Sequence, residues 1–130
     1  MSVENEAYIA FAEYRAKDAW EIVSRLENDY PDSYDAIFEV AGIYAKNARY
    51  EEALKRYKKA EELGKADKEH VFMDHLQAQA LIYEILGRYT EAYEYVQRQI
   101  DFLNDEWNIT EGADVDWLEE EKNRLLNLLL

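Results

Sequence analysis

Apolar residues recur along this chain with the period of an α-helix. Between residues 33 and 47 they follow the spacing i, i+3, i+4, i+7, i+10 and i+11, which places them on one helical face. Residues 50–63 repeat that spacing, and Asn47 and Ala48 lie between the two stretches. The pattern therefore predicts two amphipathic helices joined by a short turn. Their apolar faces consist of Tyr34, Ile37, Phe38, Ala41, Tyr44 and Ala45, and of Tyr50, Ala53, Leu54, Tyr57 and Ala60.

A helix pair of the same kind is predicted on either side of this one. The alanines of the three second helices, Ala19, Ala53 and Ala92, are 34 and then 39 residues apart. A period of this length is typical of helical hairpins that stack on their neighbours. The three predicted hairpins span about residues 2–31, 32–64 and 67–105.

Polar residues and glycines mark the predicted helix ends. Asp32 and Asp67 can each cap the first helix of a hairpin, because their carboxylates accept bonds from free backbone amides. Gly64 and Gly87 follow the last apolar positions of two helices, where glycine is favoured because it readily adopts a left-handed backbone. The first helix of the third hairpin is therefore predicted over residues 68–86, with apolar side chains on two faces.

The chain ends in a predicted seventh helix, residues 116–130. Asp116 and Glu119, three residues later, together resemble a capping box at the start of this helix. A face of leucines should cover the last hairpin, as the terminal helix of a repeat array does. The leucines of this face are Leu118, Leu125, Leu126 and Leu129. Leu126, at its edge, points partly elsewhere with Leu128 and Leu130, which indicates a contact with another molecule.

Composition narrows the class of protein. The chain has 130 residues, enough for a single domain over 1–130, and a net charge of −14. Because this charge opposes phosphate backbones and anionic lipids, we expect a basic or amphipathic protein partner, with no nucleic acid and no membrane. No apolar run approaches the roughly 20 residues of a membrane span. The lack of cysteine and of a signal peptide favours the cytoplasm.

Residues that could carry chemistry do not form a known catalytic pattern. His70 and His75 are five residues apart, about 140° around a helix, so they cannot share a metal on one face, and we expect both to be exposed. The basic run Lys55–Lys59 contains Tyr57, which belongs to the core stripe, so the run is expected to be a solvated outer face. We predict no enzyme and no cofactor. An enzyme whose carboxylate chemistry leaves no motif is a third hypothesis.

The spacing of small and large residues resembles the tetratricopeptide repeat, a helix-turn-helix unit of 34 residues. The resemblance covers roughly residues 2–106, without the tryptophan and the first-block glycine of the repeat. It implies an all-α fold: an α-solenoid, coiled as a right-handed superhelix, of about three hairpins plus a C-terminal capping helix. Another all-helical hairpin array or bundle is the alternative. The matching positions are Ile37, Val40, Ala41, Tyr44, Tyr50, Ala53, Tyr57 and Ala60 in the second copy, and Leu76, Gln79, Ala80, Tyr83, Gly87, Tyr89, Ala92 and Val96 in the third. We expect the residues that fill the packing positions of the repeat to be largely buried: Tyr44, Ala53, Tyr57, Ala80, Tyr83 and Ala92.

The resemblance also implies a concave groove, lined by the first helix of each hairpin, in which a peptide or helix of another protein binds. The protein-binding residues expected from the repeat offset are Tyr8, Asp35, Phe38, Glu39, Asp74, Leu81 and Glu84. Tyr8, Phe38 and Leu81 would be apolar anchors inside an acidic rim. The leading hypothesis is thus a non-catalytic protein-interaction module or scaffold. The alternative is a structural assembly unit that self-associates, as a homodimer for example, through the leucine-rich C-terminal helix.

Overall fold

The computed structural model describes residues 6, 7, 9, 16–67 and 73–130. All regular secondary structure in these ranges is helical, so the prediction of an all-α chain is confirmed for this part. Glu6, Ala7 and Ile9 have helical backbone. The helices with defined ends are α1 (Ala16–Asp29), α2 (Tyr34–Lys46), α3 (Tyr50–Ala66), α4 (Asp74–Ile85), α5 (Tyr89–Glu106) and α6 (Ala113–Leu129).

The chain divides into two compact units, Met1–Ala66 and Asp67–Leu130. In the first unit α2 packs extensively on α3 and more lightly on α1. In the second unit α5 packs extensively on both α4 and α6. Each unit therefore contains one tight helical hairpin, α2–α3 or α4–α5, with a further helix beside it.

The first hairpin turns at a residue with left-handed backbone. Ala48 has φ 60°, and its amide donates to the carbonyl of Ala45 at 3.0 Å. The amide of Arg49 donates to the carbonyl of Tyr44 at 2.9 Å. These two bonds form a Schellman motif, which satisfies carbonyls that the end of α2 would leave open. The predicted turn at Asn47 and Ala48 is confirmed.

The second hairpin turns by the same motif, 39 residues later. Gly87 has φ 74°, and its amide donates to the carbonyl of Glu84 at 2.9 Å. The amide of Arg88 donates to the carbonyl of Tyr83 at 2.8 Å. The predicted helix end at Gly87 is confirmed, and the two turns are equivalent bond for bond.

Small and large residues fill the packing positions expected of the repeat, with one exception. Ala53 and Ala92 have no exposed surface, and Tyr57, Ala80 and Tyr83 are buried. Tyr44 was expected to be buried but is only half-buried. Its ring lies at the edge of the core of the first unit. The ring of Trp20 packs against it with 4.7 Å between centroids, and the guanidinium carbon of Arg56 lies 4.2 Å from its centroid.

Two of the predicted ends in the first unit are wrong, one by one residue and the other by three. Ser33, not Asp32, caps α2, because Ser33 has the extended backbone of a cap residue and its Oγ accepts from the amide of Ala36 at 3.2 Å. Gly64 does not end α3, which continues to Ala66. Glycine tolerates helical backbone as well as the left-handed kind, so its presence alone does not stop a helix.

Helix starts in the second unit also differ from the prediction. Helix α4 begins at Asp74, and Met73 occupies the cap position, so the prediction of one continuous helix over 68–86 is wrong at Met73. The predicted start after Asp67 falls on residues 68–72, which the structure does not describe. Helix α6 begins at Ala113 rather than at Asp116. Gly112 occupies the cap position before it. Its φ of 114° is a backbone conformation that other residues rarely adopt.

The face that α6 buries differs from the predicted one. Val115, Leu118 and Leu125 are buried, whereas Leu126 and Leu129 are 42% and 43% exposed. The expectation that Leu126 and Leu129 cover the last hairpin is wrong. Residues 115, 118 and 125 lie on one side of a helix with 3.6 residues per turn, and Leu126 is rotated about 100° from Leu125.

The two equivalent turns provide a matched test of the backbone at their left-handed positions. Ala48→Gly should raise the free energy of unfolding by about 0.5–1 kcal/mol, because alanine is strained at φ 60°. Gly87→Ala should lower it by about 1–2 kcal/mol for the same reason. Urea denaturation measures both values.

The control for this pair is Ala113→Gly, in the first turn of α6, where the side chain is exposed and the backbone is helical. Glycine there should not stabilise the protein. A stabilising Gly87→Ala, or a destabilising Ala48→Gly, would contradict the assigned turn geometry.

Candidate functional site

The predicted binding residues of the first unit lie on α2. Asp35 is exposed, and Phe38 and Glu39 are half-buried. The Phe38 ring stacks on Tyr34 with 5.8 Å between centroids and meets the edge of Tyr57 at 5.5 Å. Phe38 therefore contributes to the packing of the hairpin and offers only part of its surface to a partner.

Tyr8, the remaining predicted anchor, lies outside the described residues. The other three predicted residues lie on α4 in the second unit: Asp74 is exposed, Leu81 is 60% exposed and Glu84 is half-buried. Leu81 is thus the most accessible of the described apolar anchors.

Leu81 belongs to an apolar strip that the core of its unit does not use. Helix α4 buries Leu76, Ala80 and Tyr83, while Leu81 and Ile85, one helical turn apart, are 60% and 53% exposed. A leucine and an isoleucine side by side on an open helix face are the kind of surface that a binding partner covers.

A cavity of about 330 Å³ opens beside Leu81. Helices α4, α5 and α6 each contribute to its wall, and the apolar lining residues include Leu81, Val96 and Trp117. Trp117, one of these lining residues, is 51% exposed. The full lining is Gln77, Ala80, Leu81, Glu84, Val96, Gln99, Trp117, Glu121, Arg124 and Leu125.

A second cavity, of about 250 Å³, adjoins the first. The two share Gln77, Gln99 and Trp117 as lining residues, so they lie side by side between α4 and α6. The second cavity is lined by these three residues and by Met73, Leu103, Trp107, Asp114 and Leu118. We refer to the two cavities together as the α4–α6 groove. Its dimensions suit large side chains of a peptide, one in each cavity.

An ion pair connects the two walls of the α4–α6 groove. Arg124 donates to both carboxylate oxygens of Glu84, from Nη1 at 2.7 Å and from Nη2 at 2.6 Å. Arg124 also bonds Glu121, three residues earlier on α6. The hydrogen bonds from Arg124 hold the pKa of Glu84 below its ordinary value, against a smaller opposing effect of burial. Glu84 is therefore a carboxylate that binds a guanidinium in this structure.

The first unit has its own arginine cluster, which is structural. Arg56 reaches from α3 to Glu27 on α1 through two hydrogen bonds of 2.9 and 3.2 Å. Arg49 lies over the ring of Trp20 at 4.6 Å. In the basic run Lys55–Lys59, Arg56 is thus engaged and Tyr57 is buried, so the aromatic ring is not available to a base.

His75 was expected to be exposed, but it is 6% exposed. His75, Gln79 and Ile82 are spaced i, i+4 and i+7 on α4, so they lie on one side of the helix. All three side chains are buried. His70 lies outside the described part. Among the residues that the structure describes, no three histidine, cysteine or acidic side chains are grouped to hold a metal ion.

Comparison with models of known protein families and with the sequences of curated proteins finds no match to this chain. Within the described ranges, no helix has the length and apolar character needed to cross a membrane.

The structure adds residues to the candidate site that sequence reasoning missed. Trp117, Arg124 and Gln99 line the α4–α6 groove, and none of them was predicted to do so. A tryptophan next to the buried Leu118, in a helix rich in acids, was the one signal that could have indicated Trp117. The pairing of Arg124 with Glu84 spans 40 residues and has no local signature.

The Arg124–Glu84 pair predicts a specific pH response. Because the pKa of Glu84 is lowered by folding, the pair stabilises the protein fully above the ordinary glutamate pKa of about 4.5, and this contribution is lost as pH falls through the folded value. Arg124→Ala should raise the Glu84 pKa toward that ordinary value. Carboxyl carbon-13 NMR titration measures it, with Glu94, exposed on α5, as the reference. A Glu84 pKa that does not change in the variant would contradict the pairing.

Proposed function

We propose that this chain is a non-catalytic protein-interaction module that holds a peptide or helix of another protein against the first helices of its hairpins. The observation that carries the proposal is the exposed strip of Leu81 and Ile85 beside the α4–α6 groove. A helix face of this kind costs solubility and adds nothing to the core, so a binding role accounts for it. The equivalent turns at Ala48 and Gly87 support a repeat of the tetratricopeptide kind, and the α-solenoid is part of the proposal.

The charge distribution favours a basic or amphipathic partner. Residues 67–130 contain 15 acidic and five basic residues, a net charge of −10, whereas residues 1–66 contain 14 acidic and ten basic residues, a net charge of −4. A strongly acidic surface speeds encounter with basic segments and repels acidic ones. The cavities supply apolar contact with a partner. The acidic residues of 67–130 favour those apolar partners that also carry positive charge.

A double charge reversal tests this function. Glu39→Lys with Asp74→Lys should abolish the co-purification of a basic or amphipathic protein from the native host, and should leave the melting temperature within a few degrees of the parent. Binding by the parent should weaken as salt is raised, because charge pairs on a surface are screened.

The control carries the same charge change on another face. Glu94→Lys with Asp105→Lys alters two exposed acids of α5, outside both cavities, and should retain the partner. If the Glu39 and Asp74 variant retains every protein that the parent retains, the proposed function is wrong. If both variants lose the partner equally, net charge rather than this surface explains the binding.

A second candidate function, self-association, is favoured by the end of α6. Leu126, Leu128 and Leu129 are 42%, 49% and 43% exposed, and Leu130 is 95% exposed. Four neighbouring leucines that the second unit does not bury form a candidate contact with another copy of the chain. In this function the chain is a structural assembly unit.

Changing Leu126, Leu128 and Leu130 to glutamine separates this candidate from core packing. The triple variant should melt with the parent, because these side chains are exposed, and should lose any concentration-dependent mass measured by sedimentation equilibrium. Leu125→Gln, at a side chain that is 1% exposed, should instead melt much earlier. A parent whose mass does not vary with concentration would eliminate the candidate.

A further inference from the structure

The α4–α6 groove places an apolar cavity directly beside a carboxylate that already binds a guanidinium. The cavity of about 330 Å³ is lined by Leu81, Val96 and Trp117, and also by Glu84 from α4 and Arg124 from α6. Both oxygens of Glu84 are occupied by the fork of Arg124, the geometry by which a carboxylate recognises arginine. The surface that a partner would use is therefore partly filled by the chain itself.

The Arg124–Glu84 pair is built so that it can open. The side chain of Arg124 is 44% exposed and that of Glu84 is 30% exposed, and ion pairs that water reaches contribute little to stability. Arg124 also bonds Glu121 on its own helix, so it keeps a carboxylate partner when it releases Glu84. An incoming arginine can thus replace Arg124 at Glu84 without leaving a buried charge unpaired.

On the basis of the proposed binding function, we propose that Arg124 competes with the partner for Glu84. In the free chain, Arg124 binds Glu84 at the position that an arginine of the partner takes in the complex. The partner segment then carries a large apolar side chain, which enters the cavity beside Trp117, next to an arginine, which pairs with Glu84. The net charge of −10 over residues 67–130 attracts such a segment and disfavours an acidic one. The occupant is a segment of another protein, and Arg124 sets how tightly it binds.

Three synthetic decapeptides test the chemistry of the occupant. Each is acetylated, amidated and made of alanine and glycine around two adjacent central residues, which are Phe-Arg, Phe-Glu or Ala-Arg. NMR titration should show that the Phe-Arg peptide shifts the indole N–H of Trp117 and the methyl groups of Leu81. The other two peptides should bind at least about five-fold more weakly, since each lacks one of the two contacts.

Variants of Arg124 test the competition. Arg124→Ala should tighten binding of the Phe-Arg peptide about three- to five-fold, the range expected for removing an accessible ion pair. Arg98→Ala is the matched control, because Arg98 lies over Tyr95 on α5, outside the groove, and its loss changes the net charge equally. Arg124→Lys keeps the charge and loses the fork, so it should also tighten binding, by less than Arg124→Ala. Glu84→Gln should weaken it.

Each outcome decides the inference. If Arg124→Ala tightens binding no more than Arg98→Ala, and Arg124→Lys leaves it unchanged, Arg124 is not a competitor. If the NMR spectrum of Arg124→Ala lacks the helical amide signals of α6, the comparison of Arg124→Lys with the parent decides by itself. If the peptides shift Phe38 and Asp35 instead of Trp117 and Leu81, the inference fails while the proposed function stands. If no peptide shifts any residue, the inference fails, and the charge-reversal experiment decides the proposed function by itself.

Discussion

Each hairpin of this protein depends on the close approach of two helices at an alanine. Ala53 in the first unit and Ala92 in the second have no exposed surface, and Tyr57 and Tyr83 are buried in the same two hairpins. A larger side chain at either alanine would push the helices apart and expose aromatic surface, whose burial contributes roughly 25 cal/mol per Å². The turns at Ala48 and Gly87 bring the second helix of each hairpin back against the first.

The same packing explains which surfaces remain for binding. Because α4 buries Leu76, Ala80 and Tyr83, the fold makes no use of Leu81 and Ile85. Helix α6 packs on α5, and the ion pair of Arg124 and Glu84 joins it to α4 beside the α4–α6 groove. The fold is thus complete without these exposed side chains, and in the proposed function a partner buries them.

Much of the fold could be predicted from the sequence, because helical periodicity and left-handed turns are local signals. The apolar spacing located the hairpins α2–α3 and α4–α5, and Asn47, Ala48 and Gly87 located their turns. Helix starts were predicted less well: Asp32 and Ser33 can both accept a capping bond, and the choice depends on which backbone is extended.

The candidate site could be predicted only in part. Leu81 follows from the repeat offset, but Trp117 and Arg124 reach the groove through the packing of α6, whose buried face was predicted to include Leu126 and Leu129. Leu126 is rotated about 100° from the buried Leu125, and periodicity alone does not resolve which of two adjacent leucines is buried. Leu129 lies on the same side as Leu125 but is the last residue of α6, where it is 43% exposed.

Site-specific photo-crosslinking in the native host tests most directly whether the chain works by presenting this surface. A benzophenone amino acid in place of Leu81 should crosslink to a different protein, through a segment with a basic residue next to a large apolar one. The same group in place of Glu94, on the outer face of α5, should not. Crosslinks at Leu81 that match those at Glu94, or that join only copies of this chain, would contradict the account.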